Sequence, residues 1–190
     1  MVLMLVFLVC FLASTIGAIC GIGGGVIIKP VLDAFGIMSV SKISFLSSCT
    51  VLSMTTYSVV KSKLGGNSRI DSDTGIPLSI GAALGGILGK LMFEQIRNAS
   101  SNPDRVGMIQ SACLFCVTLG TLLYTVFKSR IQTHKITSKP FCAGIGLILG
   151  IMSSFLGIGG GPINLVVFFY FFSMDTKTAA ENSLYTILFS

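Results

Sequence analysis

The backbone, more than any side chain, carries the chemistry this sequence offers. Two blocks, Gly21-Ile22-Gly23-Gly24-Gly25 and Gly157-Ile158-Gly159-Gly160-Gly161, are identical and stand in apolar surroundings. Glycine leaves helical geometry without strain and uncovers N–H groups where a ligand can approach. A half-helix that begins after such a block turns its positive dipole end toward it, which favours an anion. Pro162 suits the first position of the second half-helix, where its missing N–H is not needed. Close helix crossing alone would also use glycine, but five identical residues placed twice exceed an ordinary packing need.

Side chains near the blocks add donors. Lys29 lies four residues past the first block. A cation at that depth is costly and marks a candidate anion ligand; snorkelling to an interface is the plainer account. Asn164 can donate its carboxamide to an oxyanion. Ser47, Ser48 and Thr50 in one half, with Asn182 and Ser183 in the other, supply neutral donors. The candidate substrate-binding set is Gly23, Gly24, Gly25, Lys29, Ser47, Ser48, Gly159, Gly160, Gly161, Asn164, Asn182 and Ser183. Glu181 is tempting as a proton relay, yet Thr178-Ala179-Ala180-Glu181 has the capping-box pattern and predicts a helix start instead. His134 sits among basic loop residues and is expected to be solvated.

No catalytic residue and no metal ligand set emerges. The cysteines are Cys10, Cys20, Cys49, Cys113, Cys116 and Cys142, all in or beside apolar segments. The Cys113–Cys116 spacing has no second pair or nearby His, so packing is expected for these thiols. Gly21-x-Gly23-x-x-Val26 lacks the third glycine of a dinucleotide fingerprint, and no Walker Lys-Ser/Thr pair follows either block. No Ser-His pair, His-Glu-x-x-His motif or paired intramembrane carboxylate points to an enzyme, and no cofactor is implied.

The elements that must position these residues follow from composition. Of 190 residues, 52% are hydrophobic and 11% charged, with a mean hydropathy of +0.88. Soluble domains carry roughly a quarter charged residues. A soluble enzyme, a nucleic-acid-binding domain and a disordered regulator are excluded; the chain reads as an integral membrane protein. Val2–Cys20, Ser41–Val60, Ile76–Ile96, Val106–Phe127 and Phe141–Leu156 approach the ~20 residues a span requires. No Lys or Arg precedes Lys29, so Val2–Cys20 reads as a retained membrane segment rather than a cleaved signal. Val26–Ile37 and Pro162–Phe172 suit half-helices or re-entrant segments, and Thr176–Ser190 is the last segment. Uniformly apolar runs exclude a barrel and leave helices. Gly81, Gly85 and Gly89 form a small-residue stripe for helix packing.

The net charge of +6 fits positive loops on the cytoplasmic side. Lys61–Thr74 and Lys128–Lys139 hold seven Lys/Arg between them and are assigned there, which leaves Arg97–Arg105 external.

A shift of 136 positions aligns Ile16–Leu52 with Met152–Leu188 without a gap, with about a third of the residues identical. The fold class is therefore an all-α integral membrane protein, a polytopic helical bundle of two repeated units, each with a glycine-broken or re-entrant segment. Residues 1–136 form the first unit and residues 137–190 a second that stops early. Ile76–Ile96 and Val106–Phe127 are expected to cover the first unit. By repeat symmetry the second unit would continue for roughly 60–80 residues past Ser190, unless a homo-oligomer completes it.

The paired glycine blocks, Pro30 after the first, and Ser47-Ser48 and Asn182-Ser183 resemble the sulfite exporter TauE/SafE family, also called the 4-toluene sulfonate uptake permease family. Val166 stands where the first repeat has Pro30, a departure from symmetry. The resemblance implies a multi-pass permease of a bacterial-type plasma membrane. Its substrate would be a small sulfur-containing or organic anion, such as sulfite or a sulfonate. Broken segments of two repeats meeting at the membrane midplane are how secondary transporters build a site. The expected partners are the anion, the lipid bilayer and a coupling proton or ion, with no nucleic acid. A structural or assembly subunit that uses the glycines only for packing stays open, and an intramembrane enzyme less so.

Overall fold

The computed structural model describes residues 2–36, 38–66, 72–99, 103–127, 133, 138–157 and 159–190. Among them are eight helices: α1 (Val2–Cys20), α2 (Gly25–Ala34), α3 (Val40–Leu64), α4 (Ser72–Ala99), α5 (Pro103–Phe127), α6 (Lys139–Leu156), α7 (Gly161–Phe172) and α8 (Thr176–Phe189). No strand occurs among the described residues. Arg69, Lys128, Arg130, His134, Lys135, residues 100–102 and Ile158 lie outside them, and with them most of the loop-charge assignment of sides and the solvated His134.

Five helical stretches are long and apolar enough to cross a membrane: Val2–Cys20, Lys42–Leu64, Thr74–Ile96, Val106–Phe127 and Lys139–Leu156. The helices α2 and α7 are not. With 10 and 12 residues they reach about 15 and 18 Å, roughly half the hydrocarbon thickness. Large apolar side chains stand exposed on α1 (Leu3, Phe7, Phe11) and α5 (Met108, Phe115, Leu122). In water such faces would drive association; hydrocarbon solvates them. The boundaries differ from the sequence reading most at α4, which runs Ser72–Ala99 rather than Ile76–Ile96, and at α3, which continues past Val60 to Leu64. Lys61, Ser62 and Lys63 tolerate helix, and the chain turns only at Gly65 and Gly66, the latter at φ +66°.

Packing is closest where α4 lies along α6. Gly81 and Gly85 rest on the backbone of Ala143 and Leu147, and Gly146 and Gly150 rest in turn on Leu78 and Ala82. The small-residue stripe thus meets a second stripe, and Ser154 Oγ donates across the seam to the Gly86 carbonyl at 2.7 Å. Here the expectation that the third and fourth long segments cover the first unit is corrected. The helix α4 packs on α6 and α8, and α5 packs on α7 and α6. The physical reason is legible in α6: Gly146 and Gly150 admit a neighbouring backbone, whereas the corresponding α1 positions are Cys10 and Ser14.

Two apolar cores result, one beside each short helix. Val6, Ala13, Ile28, Leu32 and Ile43 surround α2. Leu78, Cys142, Leu149, Phe168, Phe169, Phe172 and Ala179 surround α7. Each short helix is therefore fixed by the core that it joins.

Candidate functional site

The two junctions share a backbone solution. After α1, Gly21 and Gly23 adopt φ +71° and +76°; after α6, Gly157, Gly159 and Gly160 adopt +62°, +75° and +67°. Residues with a Cβ pay heavily for such left-handed angles, which explains glycine at Gly23 and Gly159 in particular. The chain stops one helix, reverses locally and starts the next within four residues.

The blocks also meet. Gly161 lies directly against the backbone of Ile22, and Gly21 against Ala180 of α8. A methyl group on Gly23 would stand 3.4 Å from Ile187 Cδ1 and 4.0 Å from Val51 Cγ1. One on Gly159 would stand 3.2 Å from Ile187 Cγ2 and 3.7 Å from Val51 Cγ1. The same two side chains, from α3 and α8, thus lie beside both glycines.

Both short helices begin here, and neither has a side-chain cap: Gly24 and Gly160 occupy the cap positions. The N–H groups of Ile27 and Ile28 bond the Gly24 carbonyl at 3.1 and 3.0 Å, and that of Asn164 bonds the Gly160 carbonyl at 3.0 Å. The N–H groups ahead of these have no intrahelical partner by the geometry of a helix start. Two helix starts therefore belong to junctions that touch where Gly161 meets Ile22, and a helix start favours an anion.

Side chains divide between those gathered here and those not. Asn164 is 2% exposed, and its Oδ1 has no hydrogen-bond partner. Ser183 is buried and its Oγ donates to the Gly21 carbonyl at 2.7 Å, tying α8 to the first block. Asn182 Nδ2 donates along its own helix to the Thr178 carbonyl at 2.8 Å. Ser47 is buried on α3, while Ser48 is exposed. Gly24 faces the Ala13 carbonyl and Ser14 amide of α1, at 3.1 and 3.3 Å from an added methyl.

Lys29 is half-buried, and its Nζ donates to the Leu156 carbonyl at 3.3 Å. Gln110 Nε2 of α5 donates to the neighbouring Phe155 carbonyl at 2.9 Å. These are end carbonyls of α6, where a helix carries its negative pole and favours a cation. Lys29, from the first unit, thus stands over the second junction. Sequence reasoning missed Gln110 and also Ser153, buried on α6 beside Gly160. A signal for Ser153 existed: it aligns with Gly17, a hydroxyl in place of a glycine.

The capping-box assignment is corrected. The helix α8 starts two residues before Thr178, and its cap is Asp175, whose carboxylate accepts from the Thr178 N–H at 3.5 Å. Glu181 lies a turn further on and accepts from Ser62 Oγ at 3.1 Å. Asp175 begins the helix because Ser173 and Met174 cannot: Ser173 already ends α7 in left-handed geometry at φ +51°. All six cysteines are free thiols; Cys142 is buried in the core, whereas Cys20, Cys49 and Cys116 are exposed on helix surfaces.

A family model described as Sulfite exporter TauE/SafE matches residues 6–190. No curated protein and no solved structure matches the chain.

Proposed function

The chain belongs to the sulfite exporter TauE/SafE family of membrane transporters, and from that premise we propose that it carries small sulfur-containing or organic anions, sulfite or a sulfonate, across a bacterial-type plasma membrane. It is a multi-pass membrane protein, with five helices of spanning length among the described residues.

The observation that supports the reading is the meeting of the two glycine junctions, with Gly161 against Ile22. In this reading the backbone N–H groups at Gly23, Gly24, Gly25, Gly159, Gly160 and Gly161 are the donors offered to the anion. An anion there exchanges water for fixed donors without burying a counter-charge. Transport then follows from alternating exposure of that place between the two halves. The coupling force is a proton or ion gradient, or the anion's own.

Purified protein in liposomes tests this. Radiolabelled sulfite should enter protein-containing vesicles and not empty ones, with thiosulfate, sulfoacetate and taurine as competitors ranking the substrate class. Replacing Gly24 and Gly160 together by Ala should stop uptake while the protein stays folded. Uptake that survives the double replacement at wild-type rate would remove the junctions from the pathway.

A further inference from the structure

We infer that the anion's side-chain contacts come from the second junction alone: Asn164 of α7 and Ser153 of α6 bind the oxyanion, while the first junction contributes backbone and closure. The inference rests on the transport reading and names the residues that set affinity within it.

Three observations carry it. Asn164 is 2% exposed, and its Oδ1 has no partner. A buried polar group without one is costly, and a bound ligand relieves that cost. A half-turn of the carboxamide brings Nδ2 to the same place, so the group can meet an oxyanion's oxygen or its proton.

Ser153 is 4% exposed. Several helical hydroxyls among the described residues donate back to their own helix, as Ser14 does to Cys10, Thr50 to Leu46, Thr55 to Val51 and Thr186 to Asn182. Ser153 instead accepts from Ser190 Oγ at 2.9 Å. In such a hydroxyl pair one proton lies between the two oxygens and the other stays available to a further acceptor.

Both groups face the same spot. A methyl group on Gly160 would lie 3.3 Å from Ser153 Oγ and 3.3 Å from Asn164 Oδ1. Glycine there leaves the two polar groups open toward the head of α7, where the helix supplies its positive end.

The first junction lacks all three. Its counterparts are Gly17 for Ser153 and Ile28 for Asn164. Ile28 is fully buried among apolar neighbours, and Gly17 packs directly on the backbone of Gly23 and Gly24. At these two equivalent positions the first junction offers no polar side chain, and the Ser183 hydroxyl that reaches it from α8 already donates to the Gly21 carbonyl.

The experiment measures two quantities on the full chain: sulfite binding in detergent, read as a sulfite-dependent rise in melting temperature, and sulfite uptake into liposomes. Asn164→Leu and Ser153→Ala should each raise the half-saturating sulfite concentration about tenfold, the scale of one hydrogen bond to an anion, with maximal rate changed far less. Ser153→Thr restores the hydroxyl and should return affinity to near wild type. Ile28→Leu at the first junction should leave affinity unchanged. The melting temperature without sulfite separates lost binding from lost fold. Wild-type uptake with unaltered affinity in both variants overturns the inference and leaves the transport reading standing. Binding that depends on Asn164 and Ser153 without any uptake supports the site and overturns transport. Absence of sulfite binding by the wild-type protein overturns both.

Discussion

Where α1 meets α2, Gly24 sits in right-handed geometry at φ −64° and looks onto the α1 backbone, with Ile28 sealed behind it. Where α6 meets α7, Gly160 is left-handed at φ +67° and looks onto Ser153 and Asn164. Similar glycine spacing therefore yields one junction closed by backbone and hydrocarbon and one lined by Ser153 and by Asn164, whose Oδ1 has no partner among the described residues. The two identical glycine blocks share left-handed turns at Gly21 and Gly157 and at Gly23 and Gly159; the surrounding helices decide what the turn is for. The asymmetry extends to Lys29, which has no cationic counterpart because Leu165 holds the equivalent place. Its ammonium crosses over and caps the helix that leads into the other junction.

The comparison breaks first if the two junctions do not touch. Gly161 rests on the Ile22 backbone with no room for a methyl group. Gly161→Ala should therefore force the junctions apart, at a cost of about 3 kcal/mol or more. Thermal unfolding in detergent reads this as a large fall in melting temperature or loss of soluble protein. An unchanged melting temperature would separate the junctions and end the argument for a common site.

A smaller and nearly equal effect is expected at the shared backbone. Gly23→Ala and Gly159→Ala each place a Cβ at φ near +75°, a strain of about 1–2 kcal/mol. Gly159→Ala should be the costlier by a little, since Ile187 stands at 3.2 Å from its methyl rather than 3.4 Å. Melting temperatures of the two single variants check both the size and the order. Unequal losses, with one variant unaffected, would mean that only one junction needs the left-handed turn.

Lys29 sharpens the difference between the halves. Lys29→Leu copies the residue of the second unit and removes the cation from the α6 C-terminus, an expected loss of about 1–2 kcal/mol. Lys29→Arg keeps the charge and should retain most of the stability. If Lys29→Leu leaves stability intact but weakens sulfite binding, the ammonium acts on the anion rather than on the helix end.

Long segments were legible because lipid imposes a strict requirement: Val2–Cys20, Val106–Phe127 and Phe141–Leu156 are apolar throughout, and the helices run closely to those limits. The glycine blocks were legible because left-handed turns favour one residue type. Contacts across the chain were not. Lys29 meets Leu156 over a separation of 127 residues, and nothing local to either residue encodes it. Gln110 and Ser153 escaped for the same reason: a single polar residue in an apolar run shows that a partner exists, but not which one. The α8 start was misplaced because two patterns competed there. Thr178 with Glu181 matched a cap by spacing, yet the left-handed Ser173 three residues after Tyr170 fixed the turn earlier and passed the role to Asp175.

That cap supplies the finest comparison between the halves. Ser39 and Asp175 are equivalent positions, and each precedes a helix in extended geometry, at φ −66° in both cases. Ser39 makes no side-chain cap bond. Asp175 bonds the Thr178 N–H and adds a negative charge at a positive helix end. Asp175→Ala should therefore cost about 0.5–1 kcal/mol, the lower part of the range for a cap whose bond is long. Ser39→Ala should cost no more than a few tenths, as for a surface change without a specific role. Unfolding of the two variants side by side in one detergent resolves the difference, since the host protein is common to both. Equal losses would mean that Asp175 stabilises the helix start no more than Ser39 does, and the helix would then be held by Ala179 in the core and Ser183 against the junction, both fully buried.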